Sequence, residues 1–144
     1  MLNTVRQLLD VKGYQVWSIS PDATVYAALE MMAEKNVGAL VVCEGEQLVG
    51  MISERDYARK VILHGKTSKQ TRVREIMSSP VYSVGPEQTI RECMQLMSSK
   101  HIRHLPVVDQ GKVVGVISIG DVVNEIMRQQ SETIRFLEDL TLDI

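Results

Sequence analysis

Hydrophobic and polar positions along this chain follow two periods, and each pattern occurs twice. Val25, Ala28, Leu29 and Met32 recur at helical spacing, as do Ile90, Cys93, Met94 and Met97. Each set predicts a helix with one buried face. Both helices begin after a proline turn, at Asp22/Thr24 and at Glu87/Thr89, which supply capping oxygens and early negative charge. Two short apolar runs follow each helix. They are Ala39–Cys43 and Leu48–Ile52 around Glu44-Gly45-Glu46, then Leu105–Val108 and Val113–Ile117 around Asp109-Gln110-Gly111. Glycine between β-branched runs this close together predicts a hairpin. A further helix starts at Glu54 in one copy and at Ile119 in the other. With a strand ahead of the first helix, each copy reads strand, helix, strand, strand, helix.

The repetition extends to the residues themselves. A shift of about 65 positions lays Val16-Trp17-Ser18-Ile19-Ser20-Pro21 on Val81-Tyr82-Ser83-Val84-Gly85-Pro86, and both copies end on G-[MV]-I-S-x-x-D, at Gly50–Asp56 and Gly115–Asp121. A unit this short does not bury its hydrophobic face alone, so the copies are expected to pack on each other, with any junction site occurring twice. The expected boundaries are a lead-in helix in 1–15, repeats at 16–63 and 77–128, a linker at 64–76 and a helical extension at 129–144. The lead-in helix spans Leu2–Gly13, with Gly13 suited to its C-terminal cap. Within the linker, His64–Thr71 is polar, and Arg72–Met77 makes a short helical turn closed by Ser78-Ser79-Pro80. Ile119–Ile144 holds no breaker and reads as one long helix or two, with Val122, Val123, Ile126 and Met127 inward. Ile134, Phe136, Leu137, Leu140 and Leu142 are more apolar than a solvated tail requires. Two readings stand for them: packing on their own domain, or a dimer contact.

Composition narrows the function. At 144 residues and 44% hydrophobic, the chain suits one compact body with a real core. A net charge of −2, with lysines and arginines scattered among acids, argues against nucleic acid as a main partner. One Trp, one Phe and four Tyr leave little for base stacking. No apolar run approaches the roughly 20 residues needed to cross a bilayer, and the N-terminal residues do not read as a signal peptide. Cys43 and Cys93 occupy apolar positions outside any CxxC pair, which predicts reduced core thiols and a cytoplasmic setting.

The doubled unit, with its proline after the first strand, its L-P-V-V-D-x-G-K-V-V-G hairpin (Leu105–Gly115) and its G-h-h-[ST]-x-x-D junction, resembles the CBS domain, named after cystathionine β-synthase. Two in tandem form a Bateman module, and the resemblance covers about Lys12 to Met127, nearly the whole chain. It implies an α/β (α+β) fold of two β-α-β-β-α repeats packed with pseudo-twofold symmetry, commonly associated as a homodimer. It also implies adenosine ligands (AMP, ADP, ATP, NAD/NADH or S-adenosylmethionine) in clefts between the repeats.

Ser53/Asp56 and Ser118/Asp121 are the strongest binding candidates. Each serine ends a strand and opens a helix, where N–H groups face an anion, and each acid is placed to accept from a ribose diol. The same S-x-x-[DE] spacing is also a plain capping box. Following the resemblance, one site combines Ser118 and Asp121 with Gly13, Val16, Val37, Gly38 and Ala39. The other combines Ser53 and Asp56 with Met77, Ser79, Val81, Ile102, Arg103 and His104. Val16, Val37, Val81 and Ile102 also read as ordinary core. Arg55, Arg103, His104 and Lys12 are the candidate phosphate contacts, with solvated surface charge as the alternative. The copies differ here: Asn36-Val37-Gly38-Ala39 becomes His101-Ile102-Arg103-His104, and Arg55 faces Gly120. The two sites are therefore expected to be non-equivalent. His101 and His104 lack a third ligand for a metal. No nucleophile–base pair, Walker loop or GxGxxG occurs, so no catalytic residue is assigned. The expected function is a non-catalytic adenine-nucleotide sensor that signals to a regulated partner protein. The alternative is an interaction protein that works through its C-terminal helix and dimer surface with vestigial clefts.

Overall fold

In chain order the elements are α1 (Val5–Lys12), β1 (Ser18–Ile19), α2 (Val25–Lys35), β2 (Ala39–Glu44), β3 (Gln47–Ser53), α3 (Glu54–Lys60), a 3-10 turn (Ile62–His64), α4 (Val73–Ile76), α5 (Ile90–Lys100), β4 (His104–Asp109), β5 (Lys112–Ser118) and α6 (Ile119–Leu142). The computed structural model describes residues 3–142. The chain divides into two compact units: the first comprises Gln15–Tyr82 with Gln110–Val114, the second the rest. The expected ends at Leu2 and Ile144, and the side chain of Leu142, lie outside the described residues.

In the first unit β1 pairs parallel with β2, Ser18 opposite Val41, and β2 pairs antiparallel with β3. The β1-to-β2 crossover is α2, capped by Thr24, whose hydroxyl accepts from the Ala27 N–H at 3.1 Å. It ends on Asn36 in the left-handed conformation, a residue that tolerates it. Residues Ala39–Val42 are buried on both faces of the sheet, which explains their unbroken apolar run. Leu40 and Val42 join Val25, Ala28, Met32, Ile52 and Val61 in one core, with Leu29 half-buried at its flank.

The second unit repeats this plan with one shortened strand. Thr89 and Glu92 close a full capping box on α5, which ends on left-handed His101 at the position matching Asn36. The first strand is reduced to a single bridge, Val84 to Val107. Proline chemistry accounts for the loss. The Val41 N–H donates to the Trp17 carbonyl at 3.2 Å, whereas the matching position is Pro106, which has no N–H. Met94, expected on the buried stripe, is exposed.

Past Ile119 the chain is one 24-residue helix. Val122 is buried and Ile126 half-buried, but Val123 and Met127 are 38% and 58% exposed, correcting the expectation that all four face inward. At about 100° per residue, positions 123 and 127 turn well away from the face that Val122 presents. Ile134, Phe136, Leu137 and Leu140 are exposed as well.

A short helix from outside the strand–helix core completes each unit. In the first unit, α4 offers the N–H groups of Val73 and Arg74 to the carbonyls of Ala23 and Pro21, at 2.9 and 2.8 Å. In the second, α1 offers those of Val5 and Arg6 to Gln88 and Pro86, at 2.9 and 2.8 Å. First-turn N–H groups have no partner within their own helix, so the proline turns satisfy donors that would otherwise face water. The side chains match too: Arg74 pairs with Asp22 and Glu44, and Arg6 with Glu87 and Asp109. These exposed pairs add little energy; the buried Val73, Ile76, Val5, Leu8 and Leu9 hold the helices down.

Behind each helix, the glycine of G-h-I-S makes room. A Cβ at Gly50 would meet Met77 Sδ at 2.7 Å and the Ser78 carbonyl at 3.1 Å, and one at Gly115 would meet the Leu9 methyls at 2.8 and 2.9 Å. Gly115→Ala is expected to cost about 1–3 kcal/mol by overpacking, and Gly50→Ala at least as much, because backbone stands in the way. In urea titrations, Gly115→Ala placed in a Leu9→Ala background should cost far less than in wild type. Strict additivity of the two changes would refute the packing described.

Candidate functional site

The two Ser-x-x-Asp motifs stand at the β3–α3 and β5–α6 junctions, one in each unit. In the first, Asp56 Oδ2 accepts from the Ser53 N–H at 2.9 Å and the Ser53 hydroxyl at 3.1 Å, while the Ser53 oxygen accepts from the Asp56 N–H at 3.2 Å. In the second, Asp121 Oδ2 accepts from the Ser118 N–H at 2.8 Å, and the Ser118 oxygen accepts from the Asp121 N–H at 3.1 Å. Both motifs are formed capping structures, as their spacing allows.

A lysine meets each acid. Lys60, one turn along α3, lies 3.2 Å from Asp56 Oδ1 and donates to the Ile76 carbonyl at 2.9 Å. Lys12, at the end of α1, donates to Asp121 Oδ2 at 2.5 Å and to the Val116 carbonyl at 2.6 Å. Each lysine thereby fastens its motif to an element beside it: α4 in the first unit, α1 in the second. Lys12 was legible as a candidate cation. Lys60 was not singled out, although its i,i+4 spacing from Asp56 signals such a pair.

The residues ahead of each hairpin lie beside their own repeat's motif. The first N–H of α3, from Glu54, donates to the Gly38 carbonyl at 3.1 Å, and that of α6, from Ile119, to the Arg103 carbonyl at 2.8 Å. Ala39 stands opposite Ser53 across the β2–β3 ladder. Only the backbone is used at positions 38 and 103, so the exposed Arg103 side chain is an addition without a packing role. Gly120 is not demanded by space either, since a Cβ there would sit 3.6 Å from Ser118 Oγ.

Of the other candidates, Val16, Val37, Arg55, Met77, Ser79 and Val81 belong to the first unit, and Gly13, Ile102 and His104 to the second. Val16, Val37, Val81 and Ile102 are half-buried, unlike sealed core residues. Met77 lies against Gly50, Ser79 is exposed, and Gly13 ends α1 at φ 114°. Cys43 and Cys93 are unpaired, and burial pushes the Cys93 thiol up to about 11. Among the described residues no His, Cys, Asp or Glu cluster is suited to hold a metal, and no helix is long and apolar enough to cross a membrane.

Two β-α-β-β-α units, each closing a strand on the same Ser-x-x-Asp box, define a tandem-repeat regulatory module. The CBS-domain family model matches residues 10–63 and 73–128, and the chain belongs to that family. It is 43% identical over 130 residues to the mitochondrial CBS domain-containing protein CBSX3 of Arabidopsis thaliana, covering 87% of this chain and 63% of the relative. It is 37% identical over 122 residues to the CBS domain-containing protein YhcV of Bacillus subtilis, covering 85% and 86%. A solved CBS-domain structure from Burkholderia ambifaria superposes with a TM-score of 0.84 at 46% identity, covering 88% of this chain and 96% of its own. This chain is thus a CBS pair, and it spans less than two thirds of the plant relative's length.

Burial alone would raise the pKa of Asp121, but the Lys12 hydrogen bond and charge, with the Ser118 N–H and hydroxyl, outweigh it and hold the carboxyl below its ordinary value. On the same helix, a hydrogen bond from Arg128 leads in holding the buried Glu125 low. A lowered folded value gives stability that is present above the unfolded carboxylate range, near pH 4, and is lost as pH falls through the folded values. Wild type should therefore lose stability below about pH 4, and Lys12→Met should lose less over that window in urea titrations at stepped pH. Identical pH profiles for the two proteins would remove the Lys12–Asp121 link.

Proposed function

We propose that this chain is a regulatory module that binds an adenine nucleotide, AMP or NAD/NADH foremost, at its Ser-x-x-Asp motifs and passes the ligand state to a partner protein. The observation that carries this reading is the doubled box. In both repeats of a CBS pair, a strand-end serine and a first-turn acid are locked together beside a lysine. An acid in that place accepts from a ribose diol, and flat apolar neighbours suit a purine. Arg55, Arg103, His104 and Lys12 are the phosphate contacts, and ATP, ADP and S-adenosylmethionine are the remaining candidate ligands. The module acts as a homodimer in the cytoplasm, where the two unpaired cysteines stay reduced. A ligand shifts such a module only by its difference in affinity between two states.

A second reading rests on α6. Ile126 and Ile134, with Ile90 and Met94 of α5, line a groove of about 570 Å³ rimmed by Arg91 and Gln129. Phe136, Leu137 and Leu140 continue as exposed apolar surface beyond it. That surface suits a second copy or the regulated partner, with nucleotide sites that are vestigial.

Thermal-shift measurements with AMP, ADP, ATP, NAD, NADH and S-adenosylmethionine test the first reading. A ligand at a hundred times its Kd should stabilise by about 2.7 kcal/mol, a shift of several degrees. If none of the six raises Tm, the nucleotide reading fails. Truncation after Arg128 decides the second: loss of dimerisation and partner binding, in a protein that takes up no nucleotide, would establish it.

A further inference from the structure

The two ends of α1 are held in different ways. Val5, Leu8 and Leu9 are buried, and the Val5 and Arg6 N–H groups donate to the Gln88 and Pro86 carbonyls. Packing and main-chain bonds therefore anchor the first part of the helix. Asp10, Val11 and Lys12 in its last turn are exposed. Asp10 accepts from the Tyr14 hydroxyl, a bond within the segment itself. Lys12 reaches beyond it, donating to Asp121 at 2.5 Å and to the Val116 carbonyl at 2.6 Å. Gly13 follows at φ 114°, and a Cβ there would meet nothing within 4 Å. Conformation rather than crowding is thus what asks for glycine at this point. Residues 13–17 then run without regular structure into β1 of the first unit.

The acid that holds Lys12 is also the one the adenosine reading assigns to a ribose. A diol brings O–H donors to the carboxylate that accepts from Lys12, and a phosphate offers the ammonium more charge and more acceptor oxygens. Both pull the ion pair apart. Resting on the adenosine reading above, we propose that Lys12 is a latch. Without ligand, Asp121 clamps the last turn of α1; a bound nucleotide takes both the carboxylate and the ammonium, and the turn is let go. Gly13 is the hinge, and the anchored first part of α1 stays in place. The stretch entering β1 thereby carries the ligand state out of the second unit. Lys60 is no such latch, because it stands on the same helix as Asp56. Exchange at that motif moves a side chain and releases no helix turn.

Hydrogen–deuterium exchange of the full chain tests this, run with and without each of the six adenosine ligands above that raises Tm. With ligand bound, the amides of residues 10–13 should exchange about tenfold faster, while those of Val5 and Arg6 keep their protection. Lys12→Met should give the same fast exchange at 10–13 with no ligand present. The buried Val5, Leu8 and Leu9 keep that variant folded, and the wild-type comparison stands without it. A ligand that raises Tm yet leaves these amides unchanged or slower overturns the latch and leaves the nucleotide reading intact. Wild-type exchange rates in Lys12→Met also overturn it. If none of the six raises Tm, the nucleotide reading itself falls, and the latch with it.

Discussion

The fold depends on a close approach repeated in each unit: a segment pressed onto the glycine of G-h-I-S. Gly50 admits Met77 and Ser78, and Gly115 admits Leu9, at distances no side chain would allow. Both strand ends of the Ser-x-x-Asp junction are reached through these glycines. Because the helices α4 and α1 rest there, their first-turn N–H groups reach the carbonyls of the proline turns. Lys12 at the end of α1 can then reach Asp121, and the end of α4 meets Lys60, which pairs with Asp56 from within α3 itself. Remove the approach and the cap, the ion pair and the motif's geometry lose their common support.

Each acid therefore has structural work as well as a place in a ligand reading. Asp121 holds the end of α1 through Lys12, and Asp56 holds the end of α4 through Lys60. Asp121 is desolvated in part, and Lys12 with Ser118 keeps burial from neutralising it. The capping box and the binding site are not rival descriptions of these residues. The box and the lysine together fix the carboxylate where a ligand would meet it.

Much of the fold was legible because the repeat writes each element twice. Helix starts at Thr24 and Thr89 and the hairpins at Gly45 and Gly111 follow from capping and turn chemistry that needs no tertiary context. Three things were not legible, each for a physical reason. The missing ladder at β4 follows from Pro106, but only once the pairing partner of that position is known. The outward turn of Val123 and Met127 is set by where the buried face of α6 falls, which an apolar run does not reveal. The equivalence of Thr4-Val5-Arg6-Gln7-Leu8-Leu9 and Arg72-Val73-Arg74-Glu75-Ile76-Met77 was hidden because it runs at a different offset from the rest of the repeat. At the site, the motifs themselves were readable, whereas the partners of their acids depend on a helix distant in sequence in one case and on rotamer choice in the other.

The docking of α1 has a consequence for the order in which the chain is built. Lys12 and Asp121 are separated by 109 positions, and the turns that receive Val5 and Arg6 lie beyond Ser83. Synthesis thus delivers α1 long before the surface it fits exists. The loop-closure cost of that wait grows only slowly with length, but contacts of such separation form late. An amphipathic eight-residue helix is too short to persist alone meanwhile. An element made early is thus among the last to find its place, and its arrival marks the completion of the second unit.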